Sequence, residues 1–409
     1  MKKHILVISQ YFYPEQFRIN DICSEWVKRG YKVTVITGIP NYPQGKYYKG
    51  YGLFSKRKEA YNGIEIIRLP IIPRGNTSVM MVLNYLSFVL SGFFWKLFTR
   101  LKADNVFIFE VSPMTQALPG VWYAKRRKIP CFLYVQDLWP ENVEIVTGIR
   151  NKHILGAVGK MVDYIYARCS RIFTTSNSFV TAIEKRGVPK EKIKYWPQYA
   201  EDFYRSTGIT KVDEIPDDGA FNIIFAGNIG IAQGLDILPK TAQLLKEQNK
   251  NVRFNIVGDG RYKDDFIKLV TESGIREMFN FISKQPATRI PELLAASDAA
   301  LITLTASPLF SMTIPAKLQS YLACGIPIIA SADGETQEII SDANAGVCSA
   351  AGDSAKLAEK IVMISSATSY ERQQMAQNAH DFYQTNYNKT NLMNKMDEYF
   401  TDNEIAEGN

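Results

Sequence analysis

The sequence predicts an α/β protein with two doubly wound parallel-sheet domains. Its 409 residues exceed the size at which one hydrophobic core usually stops growing. Short β-rich runs alternate with stretches long enough for helices, and the alternation starts again after the turn formers and charges at 207–219. We therefore expect a first domain at 1–205, a linker at 206–220 and a second domain at 221–368. The helical pattern at 369–409 lies beyond the last strand, and we expect it to cross back to the first domain.

The strands are expected where β-branched and aromatic residues run together. Because strand and helix alternate, both sheets should be mostly parallel. Ligands of such sheets bind beyond the carboxyl ends of the strands, so we expect the two domains to face a cleft that holds the chemistry. The expected strands are 4–9, 32–37, 106–111, 130–135 and 171–175 in the first domain, and 221–226, 252–257, 278–282, 299–303 and 327–330 in the second.

Composition narrows the class of protein. The chain is 46% hydrophobic and 22% charged, as in ordinary globular proteins, and its net charge of +7 favours anionic partners without choosing among them. Five scattered cysteines with no C-x-x-C predict neither disulfides nor a zinc site, which suits a reducing cytoplasm. Only three histidines and no Asp-x-Asp occur, so a histidine-centred triad or a metal cluster is not expected.

The loop after the first strand of the second domain carries Gly227, Asn228, Gly230 and Gln233. Glycines there let backbone N–H groups approach an anion, and a following helix amino terminus adds a favourable dipole. The alternative is a plain strand-to-helix turn. The absence of G-x-G-x-x-G disfavours a dinucleotide cofactor.

The next strand leads into Gly258 and Arg261, which would place a glycine turn and a cation at the same rim. Arg261 is a candidate for contact with a phosphate, although an arginine on a surface turn is an equally simple interpretation.

A third segment, 311–327, combines a helix start with a lysine. Ser311 or Thr313 is expected to cap a helix whose first turn holds Pro315, leaving amides for a diphosphate while Lys317 supplies charge. A capped packing helix with a solvated lysine is the alternative. The same segment contributes Met312, Ile314 and Ser320 to the expected donor site.

Polar, charged and aromatic residues follow two strands of the first domain, as a sugar acceptor site requires. Glu15 and Arg18 follow the first strand, and Asp137, Trp139 and Glu141 follow a later one. Structural ion pairs are the alternative for the charged members.

These segments match motifs of a known family. The chain carries G-x-x-G-x-x-x-G from Gly227, V-G-D-G from Val257 and P-x-K-x-x-x-Y-x-A-x-G-x-P from Pro315. On these motifs the sequence resembles the retaining glycosyltransferases of family GT4 over essentially its whole length. The resemblance implies the GT-B fold of two Rossmann-like domains, and transfer of a sugar from a nucleotide diphosphate with retention at the anomeric carbon.

More narrowly, the chain is similar to bacterial O-antigen and capsule enzymes that transfer N-acetyl-L-fucosamine or related amino sugars. This implies a UDP-sugar donor, a polyprenyl-diphosphate-linked saccharide acceptor, no metal or other cofactor, and no nucleic acid partner. It also adds Tyr13, Asn41 and Tyr42 to the acceptor side. The motifs that carry this resemblance lie at 13–15, 37–45, 50–51, 137–141 and 227–235.

The chain departs from the broad family pattern at the phosphate site. Asn228 and Gln233 stand where the family has Arg and Lys, and Met312 and Ser320 stand where it has a pair of glutamates. Charge for the diphosphate must therefore come from other cations. The expected sources are Arg18, Arg261 and Lys317, and by resemblance the base is expected against Lys284, Gln285 and Pro286.

In the resulting hypothesis, Lys317 and Arg261 stabilise the leaving diphosphate, and Asp137 or Glu15 positions the acceptor or takes its proton. Two alternatives remain open. A nucleotide-sugar 2-epimerase would share the architecture but release the nucleotide without an acceptor. A catalytically inactive partner subunit would only bind nucleotide sugar or membrane.

The apolar segment 79–98 approaches the length of a membrane span, but polar residues such as Asn84 and Ser87 interrupt it. We expect a helix packed on the sheet with one apolar edge exposed. Nearby basic residues suit anionic lipid headgroups, which predicts a cytoplasmic protein attached peripherally to the inner membrane. A soluble enzyme with a solvated basic face is the alternative. The basic residues are Arg74, Lys96, Arg100, Lys102 and 125–128.

Overall fold

The computed structural model describes residues 2–401, apart from the side chains of 145–147. In it the chain forms two compact units. Unit 1 runs to Trp196 and takes in the chain again from Asn394, whereas unit 2 spans Pro197–Met393.

The division falls earlier than the predicted boundary at residue 205. The residues that precede the predicted linker pack within unit 2, because the Tyr383 phenol bonds both the amide and the carbonyl of Ala200 at 3.2 Å. The predicted tail segment 369–409 is itself divided, since its residues up to 393 belong to unit 2.

Unit 1 is built on one twisted sheet. Its strands are β1 (His4–Ile8), β2 (Lys32–Gly38), β3 (Lys58–Tyr61), β4 (Ile64–Leu69), β5 (Asn105–Glu110), β6 (Cys131–Val135), β7 (Arg171–Thr174) and β8 (Ile193–Tyr195). They lie in the order β3-β4-β2-β1-β5-β6-β7-β8, and only the β3–β4 pair is antiparallel. β5 and β6 are buried along their whole length, as expected of parallel strands covered on both faces.

Helices cover the sheet of unit 1. The longest, in the predicted apolar segment, packs on its neighbour at Gly92, where a Cβ atom would come 2.3 Å from Cγ of Pro119. The helices are α1 (Arg18–Lys28), α2 (Ser78–Phe98), α3 (Ala117–Arg127), α4 (Glu141–Thr147), α5 (Lys152–Arg168) and α6 (Asn177–Glu184).

Unit 2 is built on an all-parallel sheet of six strands. These are β9 (Phe221–Asn228), β10 (Val252–Asp259), β11 (Phe279–Ile282), β12 (Ala299–Thr303), β13 (Ile328–Ser331) and β14 (Gly346–Ser349), in the order β11-β10-β9-β12-β13-β14. Successive residues of β9 point to opposite faces, so Ile223 and Phe225 join one apolar cluster and Ile224 joins the other. Both faces of the sheet are therefore buried.

The last helix links the two units. α15 (Lys389–Thr401) begins in unit 2 and ends in unit 1, where the Phe400 ring lies 5.3 Å from Trp26 and 5.4 Å from Phe132, edge to face in both cases. The other helices of unit 2 are α7 (Leu238–Glu247), α8 (Lys263–Glu272), α9 (Ile290–Ala295), α10 (Pro308–Ser311), α11 (Ala316–Cys324), α12 (Glu335–Asp342), α13 (Ser354–Ser366) and α14 (Ser369–Asn386).

Candidate functional site

Two glycines meet at the carboxyl ends of β9 and β10. Gly227 pairs with Gly258 in register, and both have positive φ, +157° and +145°. A Cβ atom on Gly258 would come 1.9 Å from the carbonyl oxygen of Gly227. The strand ends approach this closely because neither residue has a side chain, which leaves the rim of unit 2 open to a ligand.

Lys317, in the first turn of α11, reaches this glycine contact. A Cβ atom on Gly227 would lie 3.8 Å from its Nζ. The ammonium donates to Oε1 of Gln233 and lies 3.8 Å from the centroid of the Phe225 ring. Burial lowers the pKa of Lys317 to about 7, and no carboxylate within the described residues offsets this. An anionic ligand would supply the missing negative charge.

The amino end of α11 is open, but the predicted cap is wrong. The N-cap residue is Pro315, and no side chain bonds the first turn. The Ser311 hydroxyl donates instead to the Pro308 carbonyl at 2.9 Å, and the Thr313 hydroxyl donates to the Leu309 carbonyl at 2.9 Å. Both hydroxyls serve the short preceding helix α10, so the first-turn amides of α11 have no side-chain acceptor.

The glycine loop does not lead directly into an α-helix, contrary to the prediction. Two 3₁₀ turns, Ile231–Gln233 and Leu235–Ile237, precede α7 at Leu238. Gly234 separates the turns with φ +60°, and a Cβ atom there would lie 2.9 Å from the Leu304 carbonyl carbon. The two turns therefore separate Gly227 and Gly230 from α7, and the loop contributes the Gln233 side chain.

Further cations lie on the same rim. Arg261 is exposed in the turn after β10. Lys263, which was not predicted, donates to the Gly258 carbonyl at 3.2 Å. The sequence offered one indication of Lys263, because this lysine follows Arg261 by two residues after a glycine turn. Lys263 and Lys317 therefore both lie at the glycine contact, and Arg261 lies in the adjoining turn.

The other predicted donor residues divide into exposed and buried groups. Asn228 is exposed at the end of β9, and Met312 is half-buried just after α10. Ile314 is buried in the apolar core. The Ser320 hydroxyl donates to the Ala316 carbonyl at 3.3 Å, so it is used inside α11.

The residues predicted to contact the base follow β11 at the same sheet edge. Lys284 and Pro286 are exposed, and the Gln285 amide donates to the Ser283 carbonyl at 3.3 Å. A hollow of about 550 Å³ lies at the opposite edge of unit 2, beside Phe221, Asn251 and Asp298. It is remote from the glycine turns, which face the carboxyl edge, and we do not assign the donor to it.

In unit 1, Glu15 joins the loops that follow β1 and β2. Its Oε1 accepts from the backbone amides of Asn41 and Tyr42 at 2.8 and 2.6 Å. The side chain is only 2% exposed, and burial raises the pKa of Glu15 to about 7 against the opposing effect of these amides. A carboxyl group that titrates near neutrality is suited to proton transfer.

Asn41 differs from the prediction that it binds the acceptor. It is fully buried, its Nδ2 donates to the Ile39 carbonyl at 2.9 Å, and its Oδ1 accepts from the Arg74 amide at 2.9 Å. The side chain is thus occupied in holding two loops together, which is a supporting role.

Aromatic rings surround Glu15. Tyr13 stacks on Tyr61 with centroids 3.8 Å apart, which covers one face of its ring. Tyr42 is 37% exposed and lies 5.5 Å from Tyr11 and 5.6 Å from Phe17. Of these predicted acceptor contacts, Tyr42 offers the more accessible ring.

The segment after β6 is organised by Ser112. Its amide donates to Oδ2 of Asp137 at 2.7 Å, while its hydroxyl accepts from the Trp139 indole at 3.1 Å and from Asn142 at 2.9 Å. Trp139 is 4% exposed, so it supports the loop and does not offer a face to a sugar. Burial raises the pKa of Asp137, and the hydrogen bonds from Ser112 oppose that rise.

Two charged residues flank these loops. Arg18 begins α1, where its positive charge opposes the rise in the pKa of Tyr134 that burial causes. Glu141 is the exposed first residue of α4.

Glu110, the last residue of β5, was not predicted as a site residue. It is fully buried, and neither carboxyl oxygen has a hydrogen-bond partner. Burial, and then the charge of Asp137, raise the pKa of Glu110 well above its usual value. The amides of Gln136 and Asp137 lie where they oppose this rise, but neither closes a hydrogen bond to the carboxyl group. The signal in the sequence was a carboxylate inside an otherwise apolar run.

Two family models match the chain. Residues 16–198 match the glycosyl transferase 4-like domain, and residues 209–382 match glycosyl transferases group 1. The chain belongs to the group 1 glycosyltransferases. Asp137 lies in the first match, Glu15 directly precedes it, and Lys317 lies in the second.

Relatives and solved structures agree with this family. WcaI of Escherichia coli K12, a putative colanic acid biosynthesis glycosyl transferase, is 26% identical over 351 residues, which cover 81% of this chain and 84% of WcaI. Sucrose-phosphate synthase of Thermosynechococcus elongatus superposes with a TM-score of 0.75 at 15% identity, covering 98% of both chains. Anabaena HepE in complex with UDP and glucose gives a TM-score of 0.71 at 16% identity, covering 98% of this chain and 100% of HepE. The likeness confirms the predicted GT-B fold of this group 1 glycosyltransferase.

Proposed function

We propose that this glycosyltransferase moves a sugar from a UDP-sugar to a polyprenyl-diphosphate-linked saccharide during surface polysaccharide assembly. The proposed sugar is N-acetyl-L-fucosamine or a related amino or deoxy sugar. Support for the pathway comes from the colanic acid relative, and support for the nucleotide comes from HepE, a structural neighbour solved with UDP.

The observation that carries the proposal is the environment of Lys317. Its ammonium lies beside a glycine contact and an uncapped helix end, with Gln233 and the Phe225 ring as neighbours. No carboxylate of the described residues offsets its charge. Oriented amides and a partly desolvated cation stabilise negative charge most strongly where water is excluded. A diphosphate leaving group develops that charge.

The proposed reaction proceeds with retention and without metal. The bond between the anomeric carbon and the diphosphate breaks, and the diphosphate takes the electron pair, stabilised by Lys317, Arg261 and the α11 amides. The acceptor oxygen attacks the same face of the sugar and loses its proton to Glu15 or Asp137. The positively charged side chains on the rim neutralise the diphosphate, as a divalent ion does in metal-dependent enzymes.

The test begins with a thermal-shift screen of nucleoside diphosphates and their sugars, followed by turnover in chelator with a lipid-linked acceptor. UDP is expected to raise the melting temperature, and Lys317→Met is expected to lower turnover by about 10²-fold or more while the fold is kept. Lys356→Met, an exposed lysine in α13, is the matched control.

The alternatives give different results. An epimerase would release UDP and a modified free sugar without acceptor, whereas an inactive partner subunit would bind UDP but show no turnover over the whole donor panel. Turnover that requires a divalent ion would overturn the metal-independent mechanism.

We further propose peripheral attachment to the cytoplasmic face of the inner membrane through α2. By length and composition α2 is apolar enough to cross a membrane, and 28% of its apolar window is buried. It buries one face through Met81, Asn84, Tyr85, Phe88 and Gly92. Its outward side is an apolar stripe, which we define as Val79, Leu83, Leu86, Leu90, Phe93, Phe94 and Leu97, each at least 38% exposed.

Basic residues lie near the end of this helix, but not all of them are available to lipid. Arg126 donates to the carbonyls of Lys96 and Leu97, and Arg127 donates to the carbonyl of Thr99. These arginines hold the carboxyl end of α2, which is a structural use that the sequence did not predict. The exposed residues that remain for headgroups are Arg100, Lys102, Lys125 and Lys128.

Vesicle flotation tests the attachment. The protein should float with phosphatidylglycerol vesicles at low salt, and replacing Leu86 and Leu90 together with serine should abolish flotation. Met363→Ser, an exposed apolar residue in α13, should have no effect. Failure of the native protein to float would count against attachment.

A further inference from the structure

Arg74, which shortly precedes α2, has no acidic partner in the part of the chain that the structure describes. Its guanidinium lies 5.2 Å from the Tyr42 ring centroid and 6.0 Å from the Tyr85 ring centroid. The one side-chain hydrogen bond it makes within the described residues is a weak one, from Nη2 to the Met81 sulfur at 3.3 Å. The side chain is half-buried, so part of its charge remains accessible.

The two carboxyl groups that act on the same phenols as Arg74, those of Glu15 and Asp137, already accept hydrogen bonds. Glu15 accepts from the amides of Asn41 and Tyr42, and Asp137 accepts from the amide of Ser112. Neither forms an ion pair with Arg74 among the described residues. The guanidinium therefore keeps donors for a ligand anion.

Two buried phenols point to the same place. Tyr11 and Tyr85 are 2% and 5% exposed, and their hydroxyl oxygens have no hydrogen-bond partner. Burial raises the pKa of each phenol, and the charge of Arg74 opposes the rise in both. Buried hydroxyls usually have partners, and two that lack them beside an uncompensated arginine indicate a missing anionic ligand.

The apolar stripe of α2 starts shortly after Arg74 in the chain. Val79 lies in the first turn of the helix, and the stripe then follows spacings of three and four residues to Leu97. The helix has 21 residues, so the stripe is roughly 30 Å long. A ligand that joins an anion to a long apolar chain would match the whole surface.

We infer that Arg74, with Tyr11 and Tyr85, binds the diphosphate of a lipid-linked acceptor whose hydrocarbon chain follows the apolar stripe of α2. This inference rests on the proposed function and names the carrier part of its acceptor. The diphosphate accepts hydrogen bonds from the guanidinium and from the phenols. The saccharide is then held beside Glu15, whose loop packs against the one that carries Arg74 through Asn41.

The test measures binding of farnesyl diphosphate, farnesol and inorganic pyrophosphate by calorimetry, with UDP present at saturation so that the donor site is filled. Arg74→Gln is expected to lower the affinity for farnesyl diphosphate by at least about tenfold and to leave the affinity for farnesol unchanged. Tyr85→Phe should have a smaller effect in the same direction, and Arg74→Lys should recover part of the affinity. Replacing Leu86 and Leu90 with serine should lower the affinity for farnesyl diphosphate and for farnesol but not the affinity for pyrophosphate.

Arg150→Gln is the matched control, because Arg150 is an exposed arginine of the same unit outside the site. Equal loss in Arg74→Gln and Arg150→Gln would reduce the effect to general charge and overturn the inference. So would unchanged affinity for farnesyl diphosphate, or an Arg74→Gln defect seen only in flotation with phosphatidylglycerol, which would assign the site to a phospholipid headgroup. UDP binding is measured separately, so failure of the donor proposal is recognised by its own readout.

Discussion

The Nζ atom of Lys317 lies 3.8 Å from the centroid of the Phe225 ring, which places a cation against an aromatic face where a carboxylate would be usual. The contact stabilises the ammonium only partly, since burial still lowers its pKa to about 7. Near neutral pH the charged and neutral forms of Lys317 are therefore both populated in the ligand-free protein. The charge of Lys317 then depends on whether a diphosphate is bound.

This relationship predicts pH-dependent donor binding. A bound diphosphate favours the charged lysine and raises its pKa, so affinity is fully present below pH 7 and falls as the pH rises above it. The expected fall for UDP is up to about tenfold per pH unit. Calorimetry in buffers of different ionisation enthalpy measures the accompanying proton uptake at pH 8. The same slope in Lys317→Met as in the native protein would contradict this origin.

The glycine contact predicts a specific packing defect. Gly258→Ala places a Cβ atom 1.9 Å from the Gly227 carbonyl oxygen, so the end of β9 must shift. We expect loss of UDP binding and a destabilisation of at least about 2 kcal/mol, measured by urea unfolding. Gly352→Ala is the control, because Gly352 also has positive φ but has open space around it. If both variants behave alike, backbone conformation and not the close approach explains the cost.

Glu110 predicts a pH dependence of stability. Its pKa in the folded protein is raised above the unfolded value, so the protonated form adds stability that is present below about pH 4.5 and lost as the pH rises toward the folded pKa. Glu110→Gln should therefore exceed the native protein in free energy of unfolding at pH 8 by about 1–3 kcal/mol, with the gap closing near pH 5. Glu141→Gln, on the exposed end of α4, should show no such gap. A pH-independent difference would refute the assignment.

The buried ring of Phe400 predicts that the end of α15 contributes strongly to the stability of the protein. Phe400→Ala removes a ring that is 1% exposed, and a loss of about 3–5 kcal/mol in the free energy of unfolding is expected. Trp26 lies 5.3 Å away and its fluorescence reports the unfolding of unit 1. Tyr370→Ala, 74% exposed in α14, should change stability little. Equal effects of the two substitutions would show that the ring contacts do not matter.

Most of the strands that sequence patterns predicted are largely buried. β5 and β6 are short runs rich in apolar and aromatic residues, a pattern typical of strands covered on both faces. β3, β8 and β14 were missed because they are short and carry few apolar residues. β4 was missed as well, since Glu65 and Arg68 interrupt its apolar run.

The site was predicted in its cations and glycines but not in its supporting groups. Lys317 and Gly227 meet as expected because parallel strands end at one edge. The hydroxyls of Ser311 and Thr313 instead satisfy the preceding turn, a local competition that residue preferences do not reveal. Trp139 was expected to contact the acceptor, and only the position of Ser112 in the fold shows why it is buried.

Unit 2 is a continuous stretch of chain, Pro197–Met393, whose two ends both join unit 1. It interrupts the sequence of unit 1 in the manner of an inserted domain. Unit 2 is therefore one continuous stretch of chain, whereas unit 1 is formed from two. Expressing residues 197–393 alone keeps all the strands of that unit, whereas a fragment that stops at Trp196 lacks Phe400 and leaves Trp26 without its cover. Isolating unit 1 therefore calls for a fusion that joins the end of α15 back onto it.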